Sequence, residues 1–171
     1  MNVLVAVASR HGATWEIGAA ITSVLAARGH RADLQEPAQV STLAGYDAAV
    51  VGSAVYLTSL LPDARDLVER LGTELAARPL WLFASGLASP TSGARTTSEL
   101  AALGERLGAR DNRLFRGRLE RAGLSFAERV AAAGVLNREG DHRDFSAIER
   151  WASTIADELE QVRVERARAT A

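Results

Sequence analysis

The strongest constraint on the fold is a set of three short, unbroken apolar runs separated by segments of helical periodicity. They are Val3 to Ala8, the "DAAVVG" stretch inside Tyr46 to Gly52, and "LWLFA" from Leu80 to Ala84. An apolar run without polar alternation suits a strand covered on both faces, the condition of a parallel sheet between two helical layers. Between the runs, Ile17, Ile21, Val24 and Leu25 recur at helical spacing and stop near Gly29. Leu67, Val68, Leu71 and Leu75 do the same behind Pro62, a residue suited to a first helical turn. Leu100, Leu103 and Leu107 form a third stripe. Ile148, Trp151, Ile155 and Leu159 form the last, opened by Asp144 or Ser146 as cap. Weaker strands are read at "ADLQE" near Ala32 and at "RLFRGRL".

Five strands alternating with helices predict an α/β fold, a doubly wound parallel sheet with right-handed crossovers. Ligands of such a sheet sit at the carboxyl ends of its strands. That directs attention to three loops: Ser9 to Thr14, Ser53 to Leu61, and Ser85 to Arg95. With 171 residues, 47% of them hydrophobic, the chain can bury the core of one domain. We assign residues 1–160 to that domain and 161–171 to an arginine-rich frayed helix or tail.

Composition removes several chemistries. There is no cysteine, hence no disulfide framework, iron-sulfur cluster or thiol nucleophile, in keeping with a reducing compartment. All 20 basic residues are arginine, which excludes a lysine Schiff base and fits the coding bias of a GC-rich genome. The formal net charge of -1 gives no global field to recruit nucleic acid. No uninterrupted apolar segment reaches about 18 residues and no charged leader precedes the first run, so a soluble cytoplasmic protein is expected. His11, His30 and His142 lack metal-like spacing. His30 beside Gly29 reads as a partner of a helix C-terminus, His142 as loop surface.

In "VAVASRHGATWEIGAA" a strand delivers its chain into hydroxyls and a glycine just before a helix. Backbone N–H groups at a helix start lack intrahelical partners, and a glycine there lets several converge on one anion. Ser9 and Thr14 add hydroxyl donors, although an ordinary capped strand-to-helix turn has the same appearance. The loop has neither the lysine of a nucleoside-triphosphate P-loop nor three dinucleotide-type glycines. A phosphoacceptor receiver would need an aspartate closing the third strand, where Gly52 and Ser53 stand.

On these residues the sequence resembles the flavodoxins. "ASRHGAT" is similar to their phosphate loop, "GYDAAVVGSAVYLTSLLPDARDLVERL" to the segment carrying the second flavin loop, and "LFASGL" to the third. The end, "REGDHRDFSAIERWASTIADEL", is similar to the last helix of flavodoxin-like, menaquinone-dependent protoporphyrinogen dehydrogenases. The resemblance implies a five-stranded sheet of order 2-1-3-4-5 and FMN as cofactor. It implies that Ser9, Arg10, His11, Gly12, Ala13 and Thr14 wrap the FMN phosphate. Ser53, Ala54, Val55 and Tyr56 would border the isoalloxazine, with Ser85, Gly86 and Leu87 at its other edge. Tyr56 can stack on a flat ring, or pack on the helix behind Pro62 instead. Arg10 depart from the usual flavodoxin loop, as does His11; Arg10 either neutralises phosphate or points to solvent or a partner.

Flavin proteins place the chemistry in the cofactor, so no catalytic side chain is expected. Electron-shuttling flavodoxins are strongly acidic and steer by that field, whereas this chain is nearly neutral. That favours an FMN-dependent oxidoreductase of the quinone-dependent dehydrogenase type over an electron carrier for a dedicated partner or a flavin-free interaction domain. The expected partner is a quinone or a redox protein, with weak peripheral contact at the inner face of the membrane allowed and a homodimer left open. Ser125 with Glu128 reads as a capping box before an apolar stripe of Phe126, Val130, Ala133 and Leu136, a short helix suited to cover the flavin, touch a membrane or pack on its own domain. In the named dehydrogenases this insertion is longer and more basic.

Overall fold

A computed structural model describes residues 1–56, 59–87, 90–119 and 139–169. Its elements in chain order are β1 (Asn2–Ala8), α1 (Ala13–Ala27), β2 (Arg31–Gln35), a short 3-10 turn (Pro37–Gln39), β3 (Ala48–Tyr56), β4 (Ser59–Leu60), α2 (Pro62–Ala76), β5 (Leu80–Gly86), α3 (Pro90–Leu107), β6 (Asp111–Arg116), β7 (Arg118–Leu119), β8 (Gly140–Asp141) and α4 (Phe145–Ala169). The five long strands pair in parallel in the order β2-β1-β3-β5-β6. Counting only those strands, this is the expected order 2-1-3-4-5. The helix expected from Ser125 lies outside the described residues.

Strand pleating explains how the apolar runs serve two layers. Successive side chains of a strand point to opposite faces. Val3, Val5 and Val7 accordingly join Ile17, Ile21 and Leu25 of α1 and Ile148, Ile155 and Leu159 of α4 in one core. Leu4 and Ala6, one residue out of phase, join Leu67, Leu71 and Leu75 of α2 and Leu100 and Leu107 of α3 in the other. Burying one such leucine or isoleucine contributes about 1.5–3 kcal/mol, which is why no polar residue interrupts these runs.

The helix ends follow local chemistry. Pro62 occupies the first turn of α2, where its missing N–H costs nothing. Asp144 is the cap of α4, its Oδ1 accepting from the Ala147 N–H at 2.9 Å. That helix runs unbroken through the arginine-rich segment to Ala169, with Val162 buried and Arg166 reaching Asp47 at 3.3 Å. No helix among the described residues is long and apolar enough to cross a membrane.

Beneath the carboxyl ends of β5 and β6 lies an aromatic cluster. The Phe83 and Phe115 rings are 6.0 Å apart, and Trp151 of α4 meets them edge-on at 6.1 and 5.5 Å. The Trp151 indole N–H donates to Asp111 Oδ2 at 2.8 Å, tying α4 to the start of β6. Burial raises the Asp111 carboxyl, but the hydrogen bonds from Trp151, Arg113 and the Asn112 N–H outweigh it and hold the group below its ordinary range.

Candidate functional site

Sheet register aligns the three loops singled out in the sequence. Ala8 pairs with Ser53, Ser53 with Ala84, and Ala54 with Ser85, so the parallel pairing of β1 with β3 and of β3 with β5 ends within one residue row. Their loops leave along one edge, and α1 begins there.

Gly12 caps α1 with φ +80°, a left-handed conformation that a side chain would strain. The first bond closing the helix runs from the Glu16 N–H to the Gly12 carbonyl at 3.0 Å. The N–H groups of Ala13, Thr14 and Trp15 therefore have no carbonyl of the helix behind them. Gly12, as the cap residue, offers no side-chain hydrogen bond to this end. Arg10, His11 and Gly12 are exposed and Ala13 half-buried.

Two hydroxyls sit under this turn in different circumstances. Ser9 Oγ is buried without a hydrogen-bond partner in the chain, an arrangement that costs about 1–3 kcal/mol unless a ligand or water completes it. Thr14, only 2% exposed, has its Oγ1 at 3.1 Å from Oγ of Ser85, itself 3% exposed. That contact joins the first loop to the third across 71 positions of sequence. The pair holds two hydroxyl protons and uses one, leaving the other free to donate.

The second loop is braced from within. Ser53 Oγ accepts from the Leu61 N–H at 2.9 Å and donates to the Ala54 carbonyl at 2.8 Å, so this hydroxyl serves the loop's own shape. Val55 and Tyr56 pair with Leu60 and Ser59 in a short antiparallel ribbon. Ala54, Val55 and Tyr56 are half-buried. Tyr56 packs against the small cluster of Ala8, Leu61 and Ala64 at the start of α2. The Arg10 guanidinium lies over the same ring, 5.0 Å from its centre, which ties the first loop to the second.

Two glycines meet at the third loop. A Cβ on Gly86 would stand 2.9 Å from Cβ of Val55, and one on Gly117 would stand 3.1 Å from Cα of Gly86. The Gly117 N–H donates to the Gly86 carbonyl at 3.1 Å. Ser85 is buried, Gly86 and Leu87 half-buried.

Four charged residues flank the start of α1 that sequence reasoning did not single out. Arg143, its side chain 3% exposed, donates to the Ala13 carbonyl at 3.0 Å and to Glu16 Oε2 at 2.8 Å. Its other nitrogens fork onto Asp141 at 2.8 and 2.6 Å, and its guanidinium lies 4.9 Å from the centre of the Phe145 ring. Arg118 reaches Glu16 at 3.2 Å from β7. The Arg143 hydrogen bonds hold the Asp141 carboxyl down to about 2, and Asp141 in turn raises Arg143 above its usual value. Ala13 and Glu16 stand 130 and 127 positions from Arg143 in the sequence, and no local motif announces these contacts.

The histidines do not meet. His11 is exposed and His142 half-buried, its N–H on the Gly117 carbonyl at 3.2 Å. His30 is 7% exposed, and burial lowers its pKa, which disfavours the cation that would complement the end of α1. No group of His, Asp and Glu able to hold a metal occurs among the described residues.

Comparison with known proteins agrees with this geometry. The flavodoxin domain family matches residues 4–146. Among solved structures, flavodoxin 2 from Bacillus cereus superposes with a TM-score of 0.65 at 20% identity, covering 92% of this chain and 99% of that one. The C101A mutant of flavodoxin from Pseudomonas aeruginosa gives 0.60 at 20% identity, covering 94% and 99%. Rubredoxin oxygen:oxidoreductase from Desulfovibrio gigas gives 0.65 at 15% identity; 94% of this chain is covered but only 36% of that longer one. A search of curated proteins found no match. With most of its length matched, the chain belongs to the flavodoxin domain family, whose cofactor is FMN.

Proposed function

We propose that this protein is an FMN-dependent oxidoreductase of the quinone-dependent dehydrogenase type, similar in habit to the protoporphyrinogen dehydrogenases of the same fold. The observation that carries the FMN reading is Ser9: a buried hydroxyl without a partner, under a helix start whose first N–H groups have no intrahelical carbonyl. A phosphate monoester satisfies both at once. Ser9 Oγ, the free proton of the Thr14–Ser85 pair and the N–H groups of Gly12 to Trp15 would hold it, and the positive end of α1 favours its charge. Ala54, Val55 and Tyr56 would border one edge of the ring system, and Ser85, Gly86 and Leu87 the other. The backbones of Gly86 and Gly117 pack directly on one another beside that second edge.

Bound FMN supplies the redox chemistry, taking up and returning electrons. The chain's own task is then to bind, orient and exclude water. Tyr56 offers an aromatic face and Arg10 a charge already bound to it, so both would shift together as the ring enters. The near-neutral net charge supports turnover of an uncharged quinone over long-range steering towards basic carrier partners. A quinone acceptor implies contact with the inner face of the membrane, made at the surface.

The test is purification followed by a visible spectrum, release of bound flavin by denaturation, and anaerobic mixing of the reduced protein with a soluble menaquinone analogue. The reading expects a yellow protein that releases FMN and passes electrons to quinone in pairs. A colourless protein that takes up no FMN contradicts it and leaves an interaction domain. Single-electron exchange confined to a protein partner would make it a carrier.

A further inference from the structure

We propose that Arg143 is a positioning residue for the phosphate-binding turn, acting through the Ala13–Thr14 peptide. This rests on the reading of the α1 start as an FMN phosphate site. In a trans peptide the carbonyl and the following N–H point in opposite directions in one plane. The peptide joining Ala13 to Thr14 is trans, as is every peptide bond described. A donor that fixes the Ala13 carbonyl therefore fixes the direction of the Thr14 N–H, one of the groups at the helix start that have no intrahelical carbonyl. Arg143 is that donor, at 3.0 Å. Because it is cationic, it also polarises the peptide and strengthens the N–H on the far side as a donor.

The surroundings of Arg143 hold it to this task. Its fork on Asp141, its bond to Glu16 and the Phe145 ring leave the side chain 3% exposed, in one geometry. The same contacts answer an electrostatic difficulty. Glu16 stands in the first turn of α1 and would repel a bound dianion. Arg118 and Arg143 both pair with it, so the four groups Glu16, Asp141, Arg118 and Arg143 sum to no net charge. Without Arg143 the cluster carries one net negative charge beside the phosphate.

The test compares FMN with riboflavin, which shares the ring system but lacks the phosphate, by flavin fluorescence titration of the full chain. Wild type is expected to prefer FMN. In Arg143→Met the FMN affinity should fall about tenfold, as expected for loss of one charge-assisted contact, while riboflavin affinity stays within about twofold. Arg143→Lys keeps the charge but has no fork to span Asp141 and Ala13; it should recover only part of the preference. Should Arg143→Met fail to fold by circular dichroism, Arg143→Lys carries the comparison. A preference for FMN that is intact in the variants, or equal losses for both flavins, overturns the proposal. A wild type that binds both flavins alike overturns the phosphate reading itself, and the two failures are thereby distinct.

Discussion

Replacing Ser9 with alanine should change the flavin-free and the flavin-bound protein in opposite directions. Ser9 Oγ is buried and makes no hydrogen bond within the chain, so the flavin-free fold carries the desolvation penalty of an unmade bond. That penalty is about 1–3 kcal/mol, and removing the hydroxyl relieves part of it. A gain of about 1 kcal/mol in a chain of this length raises Tm by about 2–4 °C. The same hydroxyl is expected to donate to phosphate, a charge-assisted bond of about 1.5–3 kcal/mol, so FMN affinity should fall about tenfold to a hundredfold. Scanning calorimetry of the flavin-free protein gives the first quantity and fluorescence titration with FMN the second. A lower Tm in Ser9→Ala with unchanged FMN affinity would refute the reasoning, because Ser9 would then be bonded within the fold and unconnected to the ligand.

Three further outcomes are expected. Thr14→Val keeps the shape of a buried side chain but leaves Ser85 without its hydroxyl partner; FMN should bind about tenfold more weakly by the same titration, with circular dichroism unchanged. Gly52→Ala would drive a Cβ to 2.1 Å from the Phe83 ring, which the Phe115 and Trp151 rings confine, so a loss of about 2–3 kcal/mol and a Tm lower by about 4–12 °C are expected by calorimetry. For His30, burial lowers the folded pKa below the ordinary value of 6.5, near Glu160, Arg28 and the Met1 amino group. The unfolded chain then binds the proton more readily: the stability contribution is complete above about pH 6.5 and is lost as pH falls below it. His30→Gln should flatten that part of a Tm-against-pH profile, and an unchanged slope below pH 6.5 would contradict it.

How much of this was legible in the sequence follows from the range of the interactions involved. The apolar runs at Val3, Ala48 and Leu80 declare buried parallel strands because every residue in them meets a helix layer. Asp144 and Pro62 mark helix starts because capping and first-turn chemistry are local. Gly12 was legible for the same reason, since its conformation is set within its own turn. The two-residue ribbons β4 and β7–β8 were not, being too short to carry a periodicity. Nor was the placement of Arg143 against Ala13, or of Thr14 against Ser85, which depends on the folded sheet bringing distant segments to one edge. His30 shows the limit of a local rule: its place after α1 suggested a dipole partner, and the packing of α4 buried it instead.

The central claim is that the phosphate of FMN is held where β1 hands the chain to α1. A crystal structure of the protein grown with FMN tests this most directly. The account predicts phosphate oxygens within hydrogen-bond distance of Ser9 Oγ and the backbone N–H groups of Gly12 to Trp15, with the ring between the loops of β3 and β5. A flavin bound elsewhere, or a phosphate turned to solvent with Ser9 Oγ still unbonded, would contradict it.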